Sequence, residues 1–173
     1  MKTKRILYYL FIAMAISFAG CEKSDVAEKK ATKPTSEDSQ IALQKLSKVA
    51  GHELKELSGE FKASEPFFQA SVANSRGSLY WLDAWFNYSS CLPSGHGYWL
   101  KYWVYNWNTG SWQVMKEDGG EPCLTDFYNE LHTMYDGRNI WIKVYVEAWD
   151  WGTEMVYLGY AQSEWLFLPD VIL

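Results

Sequence analysis

Three runs of this chain alternate residue by residue between two kinds of side chain, and that alternation limits what they can become. In Gly97–Val114, GYWLKYWVYNWNTGSWQV, four tryptophans and three tyrosines surround Lys101. Successive residues of a strand point to opposite faces. Tyr98, Leu100, Tyr102 and Val104 therefore share one side, and Trp99, Lys101, Trp103, Tyr105 and Trp107 share the other. The run 80–88 repeats the scheme, with Leu82, Ala84 and Phe86 against Trp81, Asp83, Trp85 and Asn87. So does 140–150, where Ile140, Ile142, Val144, Val146 and Ala148 oppose Trp141, Lys143, Tyr145, Glu147 and Trp149. Charges are costly in a dry core, so the aliphatic sides should form the core and the sides mixing rings with charge should meet water.

Six strand-like runs occur from Pro66 onward, separated by turn-formers such as NSRG, NTGS, EDGGEP and DGR. They predict a mainly β domain over 66–173, an antiparallel β-sandwich of which an immunoglobulin-like arrangement is one form. Within CLTDFYNELHTMYDG, Phe127, Leu131 and Met134 recur at helical spacing and predict a short helix.

All ten tryptophans lie between Trp81 and Trp165, whereas residues 22–65 hold a single aromatic, Phe61. The N-terminal third is thus a different kind of chain. SEDSQIALQKLSKVAGHELKELSGE places Leu43, Leu46, Ala50, Leu54 and Leu57 on one stripe and predicts an amphipathic helix over 39–59. Ser36 or Ser39 would cap it, Gly51 would weaken it, Gly59 would stop it, and His52 would sit on its surface. Residues 21–38 are rich in Lys, Glu, Ser, Asp and Thr and read as a flexible linker.

The first twenty residues combine the charged MKTKR with the apolar ILYYLFIAMAISF, too short a run for a comfortable membrane span. They end in Phe18-Ala19-Gly20-Cys21. This segment resembles the signal peptide of bacterial lipoproteins, with Phe18 where leucine is usual. The resemblance implies a signal peptide over 1–20 and lipidation of Cys21, which would hold the chain to a membrane by an anchored end. A plain secretory signal beside an unrelated cysteine is the alternative. EKSD, directly after Cys21, looks like the short acidic signals some Gram-negative lipoproteins use to reach the outer face of the outer membrane. The implied location is an outer-membrane lipoprotein, facing the periplasm or the surface. A solvated linker would contain the same residues.

With Cys21 lipidated, Cys91 and Cys123 remain, and an oxidising compartment favours their pairing over two free thiols. Closing that loop is worth roughly 3–4 kcal/mol in the chain-entropy model.

An exposed surface of up to seven tryptophans marks an interaction site if the three ringed strands are neighbours. Rings stack on the apolar faces of sugars while nearby polar groups bind the hydroxyls. Trp81, Trp85, Trp99, Trp103, Trp107, Trp141 and Trp149 are the stacking candidates, and Asp83, Asn87 and Lys101 the orienting ones. The leading reading is glycan capture at the cell surface. The rival is a protein-interaction, inhibitor or envelope-assembly role using the same face. Two arrangements would leave the rings without a ligand: the helix or a loop lying over them, or Lys and Glu stems laid across them.

Residues 66–173 hold five Lys and Arg against twelve Asp and Glu, a net of −7, a poor match for nucleic acid. The histidines are scattered and no catalytic motif occurs, so no enzyme activity and no cofactor are expected. Glu117, Asp118 and Glu121 crowd one loop, read as a solvated acidic turn rather than a calcium or other metal site. Oligomeric state is open.

Overall fold

The computed structural model describes residues 32–57, 68–86, 88–124 and 131–170. The signal segment, Cys21, most of the linker, Gly59 and Asn87 lie outside the described residues.

Among the described residues, ten strands and one helix follow one another. The helix is α1 (Ser36–Ala50), and the strands are β1 (Phe68–Arg76), β2 (Leu79–Phe86), β3 (Tyr88–Cys91), β4 (Gly97–Asn106) and β5 (Ser111–Gly119). They continue with β6 (Cys123–Leu124), β7 (Leu131–Asp136), β8 (Ile140–Trp151), β9 (Met155–Gln162) and β10 (Leu166–Leu168). The pairings are antiparallel. One sheet has the order β1-β2-β7, and the other runs β10-β8-β4-β5 with β9 also paired to β8. The small β3-β6 pair brings Cys91 opposite Cys123, and the two form the expected disulfide.

The aliphatic sides make the core between the sheets. Leu82, Ala84 and Phe86 of β2 meet Leu100, Tyr102 and Val104 of β4 and Ile142, Val144, Val146 and Ala148 of β8, all buried. Strand assignment differs from expectation in three places. The run that includes 80–88 breaks into β2 and β3, the C-terminal run 155–168 splits into β9 and β10, and Leu131–Asp136 is a strand where the spacing predicts a helix. There β7 pairs with β2 and closes that sheet's edge, so the sheet overrides a weak helical period.

α1 starts earlier and ends sooner than its stripe predicts. Thr35 is the cap: its hydroxyl accepts from the Asp38 amide at 3.3 Å, and the Asp38 carboxylate accepts from the Thr35 amide at 2.7 Å. The stop is Gly51, whose φ of 80° is a left-handed cap that glycine adopts without a Cβ penalty. His52 is therefore beyond the helix rather than within it. The next residues run along the free edge of β9, where the Leu57 amide donates to the Tyr160 carbonyl at 2.9 Å and the Tyr160 amide to the Lys55 carbonyl at 2.9 Å. Gly159 (φ 150°) permits this approach, because a Cβ there would collide with Leu57.

Candidate functional site

The rings do not share one face. β2 belongs to the three-stranded sheet, so Trp81, Asp83 and Trp85 lie on the opposite outer side of the sandwich from Trp99, Trp103, Trp141 and Trp149. There Trp81 stacks on His132, with centroids 4.4 Å apart and planes 10° apart, and Asp83 Oδ1 lies 2.5 Å from His132 Nδ1. These groups are half-buried or exposed.

The outer side of the larger sheet differs from expectation: α1 lies across it. Leu46 is fully buried against Trp103, Tyr145 and Tyr160, and Ala42 packs against Tyr105 and Trp165. Trp103 keeps 6 % of its surface, while Trp107 and Trp141 are partly buried beside Ala42, Tyr105 and Trp165. Lys143 and Glu147, expected in water, keep 6 % and 1 %.

Their burial is tolerable because each has particular partners. Lys143 Nζ donates to Ser39 Oγ at 2.9 Å and lies 5.3 Å from the Trp165 ring centroid, a cation–π contact. Trp165 Nε1 donates to the same hydroxyl at 3.0 Å. Burial holds the Lys143 ammonium below the usual lysine range, and the nearby Glu164 charge opposes the shift. Trp103 Nε1 donates to Glu147 Oε2 at 2.7 Å. Trp112 Nε1 donates to the Ala42 carbonyl at 3.0 Å, and Lys45 Nζ to the Tyr105 hydroxyl at 3.1 Å. Helix and sheet are thus joined by polar contacts as well as by apolar burial.

The helix is shorter than the sheet beneath it. The chain advances with β8, Ser39 of the helix lying over Lys143 and His52, just past its end, over Glu147. Gly51 ends the helix while β8 continues four residues to Trp151. That leaves an open cleft of about 260 Å³ at the helix end. Trp99 and Trp149, cross-strand partners, line it with the edge of Trp103. Lys101, Glu117 and Glu147 supply its charges, and His52 and Met155 lie along its rim. The exposed Trp151 packs edge-on to Trp99 at 6.4 Å.

Register explains the charges. Lys101 pairs across to Glu117 on β5 and to Glu147 on β8, putting three alternating charges in a row on this face. The Lys101 ammonium reaches Glu117 at 2.9 Å and lies 4.8 Å from the Trp103 ring centroid. His52 contacts the Trp149 and Tyr157 rings, with centroids 5.0 and 4.4 Å away. Burial and the Glu147 charge push the Tyr157 phenol well above its usual range.

Of the residues singled out by alternation, Trp99, Lys101, Trp103 and Trp149 are brought together. Trp81, Asp83 and Trp85 are not, and Trp107 and Trp141 belong to the covered cluster. The cleft adds His52, Glu117, Glu147, Met155 and, beside it, Trp151. Of these, Glu147 had a sequence signal in the alternation of 140–150 and Glu117 in the acidic loop, but their places opposite Lys101 come from the register. In the acidic turn, Glu117 and Asp118 are taken up by Lys101 and Lys116, at 2.9 and 2.6 Å, and the Lys116 bond holds the Asp118 carboxyl below its usual range.

Two other hollows are larger. One of about 470 Å³ between the β5 and β7 edges includes Asn106, Gln113 and Met134, and one of about 420 Å³ lies at the start of α1 beside Lys143. Neither has a pair of tryptophans on its wall. Comparison with protein-family models, with curated proteins and with solved structures finds no match for this chain.

Proposed function

We propose that the chain is a lipid-anchored, exported binding protein that captures glycans, and that the contact is the cleft at the end of α1 rather than a whole sheet face. The observation that carries the reading is the pairing of half-exposed Trp99 and Trp149 across β4 and β8, with Lys101, Glu117 and Glu147 beside them. Flat rings next to fixed charges suit one sugar unit, whose apolar face stacks while its hydroxyls meet the polar groups. The volume suits a unit at a chain end or on a branch rather than a long bound segment. The signal-like segment 1–20 and Cys21 support anchorage in the outer membrane, facing the periplasm or the surface.

A glycan array read with the intact mature chain, together with tryptophan fluorescence, tests the glycan reading. Binding that shifts emission and is lost in Trp99→Ala supports it; silence on every glycan sinks it. Labelling with radioactive palmitate tests the anchor, and the expected label disappears in Cys21→Ala.

One observation favours the rival reading of a protein-docking surface. Val49, Trp151 and Met155, all exposed, stand around the same cleft and give it an apolar border.

A further inference from the structure

The cleft contains an unmet demand for a hydrogen-bond donor, and its chemistry narrows the ligand. Glu147 is almost wholly buried, and its Oε1 receives no hydrogen bond from the described residues. His52 Nε2 faces it at 3.0 Å, an ion pair only if the ring is protonated, and makes no hydrogen bond of its own among the described residues. The other ring nitrogen, Nδ1, faces the Ala50 carbonyl at 3.2 Å and must carry a proton to bond it. A neutral His52 therefore turns a bare acceptor toward a bare carboxylate oxygen. Both atoms are closed to solvent as the ring stands, so a donor reaches them by displacing the His52 ring, and a group with several N–H donors then satisfies both at once.

Charge favours an ammonium over a hydroxyl as that group. Leaving His52 aside, Lys101 stands against Glu117 and Glu147, one negative charge in excess. The chain already shows how an ammonium fits here: Lys101 Nζ sits over the Trp103 ring with a carboxylate at 2.9 Å. Lys101 and Glu117 are both partly exposed, so this internal pair is weakly held. Trp99 and Trp149 add rings broad enough to lie against a sugar, which a thin lysine stem would leave mostly bare.

We propose that the cleft selects a glycan unit carrying a free, protonated amino group, the ammonium donating to Glu147 Oε1 and His52 Nε2 while the sugar ring lies against the tryptophans. This rests on the glycan reading above. The test is calorimetric titration of the full mature chain with a glucosamine tetramer and with its fully N-acetylated counterpart, which keeps the ring and removes the charge. At least tenfold tighter binding of the free amine is expected. Glu147→Gln, which keeps the acceptor for Trp103, should erase that preference, and Lys101→Met should tighten the free amine several-fold by removing the internal competitor.

Should Glu147→Gln not fold, the wild-type comparison of the two tetramers and the Lys101→Met result still decide the matter. Equal affinity for both tetramers overturns amine selection and leaves glycan binding standing. Silence on both, with binding of some other glycan, does the same. Silence on every glycan overturns both readings, as does an amine-dependent response to polylysine alone, which would assign the cleft to a protein partner.

Discussion

The two outer faces of the sandwich are written in the same alphabet and end in different surroundings. On β2, Trp81, Asp83 and Trp85 alternate with core residues and stay in contact with water. On β8, Trp141, Lys143, Tyr145 and Glu147 alternate in the same way, yet Lys143 is buried beneath α1 and Glu147 beneath His52 just past its end. The difference lies outside the strands. The larger sheet has a covering helix whose small and apolar residues, Ala42 and Leu46, fit between its rings, and whose Ser39 meets its lysine. Among the described residues no helix is laid over the smaller sheet. Alternation therefore reports which side faces the core, whereas wetness of the other side depends on what else the chain can lay there.

Alkaline pH should give the largest effect, and one tied to the core and the covered face. Burial raises the phenols of Tyr98, Tyr102 and Tyr135 in or beside the core, and of Tyr145, Tyr157 and Tyr160 on the covered face. A raised folded value means the folded chain keeps protons the unfolded chain gives up near pH 10. Stability is thus intact below about pH 10 and lost above it, by up to about 1.4 kcal/mol per pH unit for each tyrosine. Lys143, lowered by burial, acts in the opposite direction as pH rises toward 10.5, but it is one group against six. Circular dichroism should show unfolding before pH 12; a flat signal to pH 12 would break this assignment.

Next in size is the helix contact. Leu46→Ala should cost about 2–5 kcal/mol in urea unfolding, since Leu46 is fully buried, and should shift tryptophan emission to the red. A loss under about 1 kcal/mol with unchanged emission would mean the helix is not seated on the rings. Glu147→Ala should cost about 1–3 kcal/mol by leaving the Trp103 N–H buried without an acceptor. The open face should respond least. Trp81→Ala removes a half-exposed stack on His132 and should cost about 1 kcal/mol or less. A larger loss there would erase the contrast between the two faces.

Much of the fold was legible in the residues. The core sides of β2, β4 and β8, the antiparallel sandwich and the Cys91–Cys123 bridge all follow from alternation, turn chemistry and cysteine count. β7 was hidden because Leu131 and Met134 also satisfy a helical period, and only its place beside β2 decides the matter. The covered face was hidden for a physical reason. Burying Lys143 and Glu147 is costly in general, and their offsetting partners, Ser39 as acceptor and Trp103 as donor, come from distant parts of the chain. In the cleft, Lys101 drew notice as a lysine among rings, but its two carboxylates required the register of β5 and β8. His52 was unreadable, because Gly51 looked like a weak point within a helix and is in fact its end.

α1 covers the middle of the aromatic face and leaves its far end open. Hydroxyl-radical footprinting of the intact chain, read residue by residue by mass spectrometry, tests it most directly. Trp103 and Trp165, which keep 6 % and 8 % of their surface, should oxidise slowly, and Trp151, which keeps 53 %, should oxidise fast. Oxidation of Trp103 as fast as that of Trp151 would contradict it.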